Sequence, residues 1–275
     1  GGDCSTPPGE AVNSSCLSRP EDFVIPEGRE HVPGDLLDRC ESACSFQEFD
    51  ALPTPTVRDP TPKPRPWLQN VLVNHRQDNV GVPMTDALAC RGMVGVSGCD
   101  YESPFEALRR FLASTEDPQS SNYDFLRDDA LAYIVFIGDE DDCSLQDPSI
   151  LDPNGERSFW PADDTGDRAP SSVCFRAGVS CIDESEDEWD CQVADRSADG
   201  SITTNPDEAV LTSVARFRQE IEALDAERRA TRLTPWPTIH FGHVGGVTSS
   251  GHLKWPKAGG PEGFVDEYGV GPGCA

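Results

Sequence analysis

The chain has 275 residues, enough for one large domain or two small ones. Its 49 acidic and 22 basic residues give a net charge of −27, which argues against nucleic acid or an anionic membrane surface and suits cations or basic partners. Hydrophobic residues make up 36%, with 24 Pro and 24 Gly, so a real core with long irregular excursions is expected, and no apolar run approaches the ~20 residues of a membrane-spanning helix.

Residues 1–66 carry 11 of the 24 prolines and four cysteines. Pro53, Pro55, Pro60, Pro62, Pro64 and Pro66 preclude helix and central strand, and the expectation is an irregular arm pinned by disulfides. The chain opens Gly1-Gly2-Asp3 with no visible signal peptide, as expected of a mature or proteolytic product. Regular structure is expected over 67–247, followed by a Gly- and Pro-rich tail at 248–275.

Val71–Val73 and Met93–Val96 are weak strand candidates. Ser103-Pro104-Phe105-Glu106 reads as a capping box, and Phe105, Leu108, Phe111 and Leu112 continue a helical face to about Ser114. Ala130–Ile137 is an unbroken apolar run, the pattern of a strand buried on both faces of a parallel sheet. An acidic, cysteine-bearing insertion occupies 145–204. Asn205-Pro206-Asp207-Glu208 reads as a second helix start, with Val210, Val214, Phe217, Ile221 and Leu224 extending it to about Arg229. Thr238–Val244 reads as a strand. The order of these elements predicts an α/β fold: a doubly wound, mostly parallel sheet with long disulfide-pinned irregular insertions.

Eleven cysteines without a C-x₂-C pair point to a disulfide framework made in an oxidising compartment. Near neighbours in sequence suggest Cys4–Cys16, Cys90–Cys99 and Cys181–Cys191, although spacing alone leaves many alternatives.

Four acids, residues 139–142, directly follow the apolar run. Ligands in open α/β folds sit beyond the carboxyl ends of strands, and carboxylates suit calcium or magnesium, so Asp139, Asp141 and Asp142 are candidate ligands. The competing reading is capping and turn formation after the strand. Glu102 and Ser103 are candidates for the same site, with helix capping as the alternative. Asp195, Ser197 and Asp199, followed by Gly200 and Ile202, resemble the start of an EF-hand calcium loop, although its twelfth position is Pro206; the alternative is an Asp-Gly turn. His240 and His243 lie three apart on a strand and face opposite ways, which argues against zinc. Neither a nucleophile elbow, a zinc-protease motif nor a phosphate loop occurs, so an enzyme is not expected.

Gly98-Cys99-Asp100-Tyr101-Glu102-Ser103-Pro104-Phe105-Glu106-Ala107-Leu108, together with Gly138-Asp139-Glu140-Asp141-Asp142-Cys143-Ser144, resembles the von Willebrand factor A-like domains of bacterial secreted and surface proteins. The likeness is close over residues 90–145 and looser to about 247. It implies a metal-ion-dependent adhesion site made by three loops. Asp139 falls on the third-loop Asp, and Glu102 on the second-loop Thr, with Asp100 and Ser103 beside it. The first strand and its Asp-x-Ser-x-Ser loop are not found in the chain. The expectation is therefore a non-enzymatic, secreted or cell-surface binding module holding Ca²⁺ or Mg²⁺ and engaging a protein partner. The alternative is a structural subunit of an extracellular assembly, with structural Ca²⁺ sites and strands shared between chains.

Overall fold

The computed structural model describes residues 15–24, 36–44, 51–71, 77–93, 101–128, 130–138, 141–161, 166, 169–170, 172–183, 188–244 and 255–258. The chain divides into two units, one of Gly1–Cys99 with Ala107–Arg127 and one of Asp100–Glu106 with Asp128–Ala275.

In the first unit, short 3₁₀ turns at Cys16–Ser18 and Pro20–Phe23 precede helix α1 (Leu36–Ala43). Strands β1 (Asn70–Val71) and β2 (Gln77–Asp78) pair antiparallel, and helix α2 (Met84–Gly92) follows. Disulfides Cys16–Cys40 and Cys44–Cys90 join these elements. Their sulfurs, with Phe23, form a small core lined by Leu17, Leu36, Leu37 and Met93. The pairing corrects the expected Cys4–Cys16 and Cys90–Cys99: the i, i+4 spacing sets Cys44, just past the end of α1, on the side of Cys40, and each meets a cysteine distant in sequence. Cys4 and Cys99 lie outside the described residues.

The proline-rich stretch is ordered without cysteines of its own. Thr54 and Lys63 form an antiparallel bridge across it. The buried Arg65 guanidinium donates to Asp59 at 2.7 Å and lies over the Trp67 ring. Arg58 donates from its backbone N–H and its Nε to the buried Asp124 carboxylate, at 2.7 and 2.8 Å. Prolines remove backbone donors from this stretch, and arginine side chains supply the cross-links instead.

Helix α3 (Pro104–Ser114) matches its expected bounds. In the second unit, strand β3 (Ala132–Ile137) pairs in parallel with a later strand, Ile239–Val244, in a register running from Ala132↔Ile239 to Ile137↔Val244. Between them lie helix α4 (Ser172–Gly178), the antiparallel hairpin β4 (Val179–Asp183) and β5 (Trp189–Val193), and helix α5 (Val214–Arg232); Ile239–Val244 is β6. Disulfide Cys181–Cys191, as expected from spacing, joins directly opposed hairpin positions, and Cys143–Cys174 ties the segment after β3 to α4. The core is built mainly by the acidic insertion, with Ile150, Phe159, Trp160, Ala169, Val173, Ala177 and Val210 packed together.

Two expectations need correction. The apolar run is not buried on both faces: along β3 burial alternates, leaving Tyr133, Val135 and Ile137 exposed while Ile134 and Phe136 turn inward. The Phe136 ring packs edge-on against Phe105 and is stacked parallel to Phe241. The second long helix begins at Val214, not Asn205. Asn205 closes a local turn, donating Nδ2–H to Glu208 at 2.9 Å. Val210 is then buried in an extended segment whose N–H donates to Arg196 O at 2.8 Å and whose carbonyl accepts from Gln146 and Asp147. These bonds divert backbone groups a helix would need, and Ser213 caps the helix that follows by accepting from Arg216 N.

Helix α5 fastens the strand starts. Its Asp225 accepts from Thr238 N, Thr238 Oγ1 and Ile239 N at 2.7, 2.8 and 3.2 Å. Its buried Arg228 donates to Ala130 O at 2.7 Å, and Arg232 reaches the same carbonyl at 3.1 Å. Of the weak strand candidates, Val71 falls in β1 and Met93 caps α2; Leu72, Val73 and Val94–Val96 lie outside the described residues.

Candidate functional site at the carboxyl end of β3

The chain leaves β3 at Gly138. Asp139 and Glu140 lie outside the described residues, and the path resumes at Asp141. The segment 141–144 then meets the start of α3. Cys143 N–H donates to Glu102 O at 2.6 Å, and Ser103 Oγ–H donates to Cys143 O at 2.6 Å. Asp142 Oδ1 accepts from Phe105 N at 3.0 Å, and Ser144 Oγ accepts from Glu106 N at 3.0 Å. The same Asp142 carboxylate also accepts Ser144 N–H and Ser144 Oγ–H.

This arrangement is a helix cap supplied from a distant part of the chain. The first N–H groups of a helix have no partner within it, and a carboxylate also suits the positive end of the helix dipole. The expected capping box is therefore corrected. The donor at Glu106 N goes to Ser144, and Ser103 turns its hydroxyl to a carbonyl of the opposing segment. Asp142 and Ser103 are positioning residues that hold the loop before α3 against the loop after β3.

Two further acidic residues, Glu102 and Asp141, lie at this edge. Glu102 Oε2 is 3.5 Å from where a β-carbon on Gly138 would stand, so the carboxylate lies beside the residue that follows the strand. Asp141 is half-buried, and its carboxyl is pushed up to about 6, first by burial and then by the neighbouring charge of Asp142. Asp142 is also pushed up by burial, partly offset by its bonds from Phe105 and Ser144. A carboxyl held in this way favours a proton or a cation beside it.

The residues do not form a compact cage. Among the described residues, the group of His, Cys, Asp or Glu ligand atoms that lie within 4.8 Å of one another is Cys16, Cys40 and Cys44, and the acids after β3 do not join it. Asp195, Ser197 and Asp199 form a turn. Asp199 accepts from Ser197 Oγ, Ser201 N and Ser201 Oγ, with Gly200 at φ +83°, and Arg196 bridges Ile202 across the loop. Those bonds, the hydroxyl of Ser201 foremost, hold the Asp199 carboxyl below its ordinary range. Glu208, two residues beyond Pro206, accepts from Asn205 and Thr203. The loop is built as the Asp-Gly turn. His240 and His243 pair with Tyr133 and Phe136 and so lie on opposite faces of the strand pair.

The trans cap and the four-cysteine cluster escaped the sequence reading. Asp142-x-Ser144 is itself a capping string, and the i, i+4 spacing of Cys40 and Cys44 was the available signal for the cluster. No family model, curated protein or solved structure matches the chain. Among the described residues no helix is long and apolar enough to cross a membrane, and the four disulfides that join them are compatible with an extracellular setting.

Proposed function

We propose that the chain is a secreted or cell-surface binding module of the von Willebrand factor A type, non-enzymatic, with a doubly wound α/β sheet and a divalent-cation site at the carboxyl end of β3. The observation that carries this reading is the convergence of the loop before α3 and the loop after β3, which sets the Glu102 carboxylate beside Gly138 next to the segment of Asp141. The donors are hard oxygens, as Ca²⁺ and Mg²⁺ require. Glu102 and Asp141 would hold the ion with Asp139, and an acidic group of a protein partner would complete its coordination. Asp142 supports the site as a cap and is not assigned as a ligand.

Titration calorimetry with Ca²⁺ and with Mg²⁺ tests the reading. Binding in the submillimolar to millimolar range common for extracellular modules is expected, weakened at least tenfold by Asp139→Ala or Asp141→Asn. Absence of binding, or binding unchanged in both variants, overturns it.

The exposed apolar face of β3 and β6 favours a second reading, a subunit of an extracellular assembly. Tyr133, Val135, Ile137 and Val244 are all exposed on one side of a two-stranded pair, a surface suited to another strand or chain. Sedimentation of the full chain distinguishes it: a monomer at high concentration counts against this alternative.

A further inference from the structure

The first unit holds four cysteines in one knot. Cys16, Cys40, Cys44 and Cys90 are each no more than 4% exposed. They are joined as Cys16–Cys40 and Cys44–Cys90, yet Cys16 Sγ also lies 3.5 Å from Cys44 Sγ, across the two bonds. The sulfurs of Cys16, Cys40 and Cys44 all fall within 4.8 Å of one another, and Cys90 is bonded to one of them. A tetrahedral tetrathiolate zinc site, with Zn–S of about 2.3 Å, has sulfur–sulfur edges of about 3.8 Å. Four sulfurs already confined to this space need only small side-chain rotations to reach that geometry. Cys40 and Cys44 have the C-x₃-C spacing typical of one half of such a site, here with Cys40 in α1 and Cys44 directly after its last residue, where its N–H donates to Cys40 O at 2.8 Å.

We propose that this knot is a redox-gated metal site: two disulfides when oxidised, one Zn²⁺ held by four thiolates when reduced. The surroundings suit a thiolate-bound soft metal: Phe23, Leu17, Leu36, Leu37 and Met93 pack around the sulfurs and limit access of water. Oxygen-preferring Ca²⁺ and Mg²⁺ are excluded by the donor set. The metal takes over the cross-linking that the disulfides otherwise supply, so the unit keeps its fold in either state. This inference does not depend on the proposed adhesion site, which lies in the other unit and uses oxygen donors.

The chemistry balances with an external phosphine and water. Each phosphine reduces one disulfide with one water, yielding phosphine oxide and two thiols. Binding of one Zn²⁺ by the four thiols then releases their four protons.

The test uses the full chain, reduced anaerobically with a trialkylphosphine, freed of reductant and titrated with Co²⁺ and Zn²⁺. Expected are one equivalent bound with the visible bands of tetrahedral thiolate cobalt, and a zinc absorption-edge scattering shell of four sulfurs at about 2.3 Å. The double variant Cys16→Ser/Cys90→Ser should lose this uptake, and Cys181→Ser/Cys191→Ser should retain it. A non-stoichiometric uptake, a shell of mixed nitrogen and oxygen in the unaltered chain, or equal uptake by both double variants would overturn the proposal. The scattering measurement stands even if the Cys16→Ser/Cys90→Ser variant does not fold.

Discussion

Asp141 offers the sharpest test of the candidate site. Its carboxyl rises from an ordinary 3.8 to about 6 on folding, first through burial and then through Asp142. A raised acid opposes folding once ionised. The cost is absent below about pH 4, where the group is protonated folded or unfolded, grows as pH rises towards 6, and is constant above it. The full shift corresponds to about 3 kcal/mol. Screening at a half-buried carboxyl reduces this, so about 1–3 kcal/mol is expected. Asp141→Asn should therefore stabilise the chain in chelator at pH 7.5, raising Tm by about 2–6 °C, with no difference at pH 3.5. Ca²⁺ or Mg²⁺ at a fixed concentration should raise the Tm of the unaltered chain more than that of the variant. Calorimetric melts at both pH values, with and without cation, read this out. A variant less stable in chelator at pH 7.5, or a difference independent of pH, would refute the reasoning.

Asp142→Ala removes one bond from the first turn of α3 and two from Ser144, and should cost about 2–3 kcal/mol in urea unfolding, against under 1 kcal/mol for an exposed acid such as Asp117. Burial tends to raise the Asp225 carboxyl, but the Thr238 bonds outweigh this and hold it below its ordinary value. Asp225 thus contributes stability that is present above about pH 4 and lost as pH falls through its depressed value, and Asp225→Asn should flatten the acid limb of the stability profile. Cys143→Ala/Cys174→Ala opens a link of sequence separation 31 and should lower stability by about 3–4 kcal/mol, measured by denaturant titration under non-reducing conditions. Arg228→Met leaves the Ala130 carbonyl with one donor fewer and should cost about 1–3 kcal/mol, with faster amide exchange at the start of β3.

Local pattern carried several elements into view. The Pro104 start and apolar spacing of α3, the strands ending at Ile137 and Val244, and the stripe from Val214 to Leu224 depend on neighbours within a few residues, and the structure has them where periodicity put them, although the caps at both helices differ from those expected. Glu102 and Asp141 were also legible as acids flanking a strand end and a helix start. Other features depend on partners remote in the chain. Val210 is held extended by Arg196, Gln146 and Asp147, so a helix-compatible stripe becomes an extended segment. Which side of β3 is buried depends on Phe105 and Phe241 meeting Phe136, and an apolar run of eight residues contains no sign of that choice. Asp142 looked like a ligand because its role as a cap exists only once α3 lies against it. Cys16 and Cys90 found partners 24 and 46 residues away. Composition, charge and local periodicity thus determined the elements and the chemistry available at their ends. Long-range packing alone decided which oxygens are taken up by backbone donors and which four sulfurs share one space, because those depend on contacts that sequence spacing does not encode.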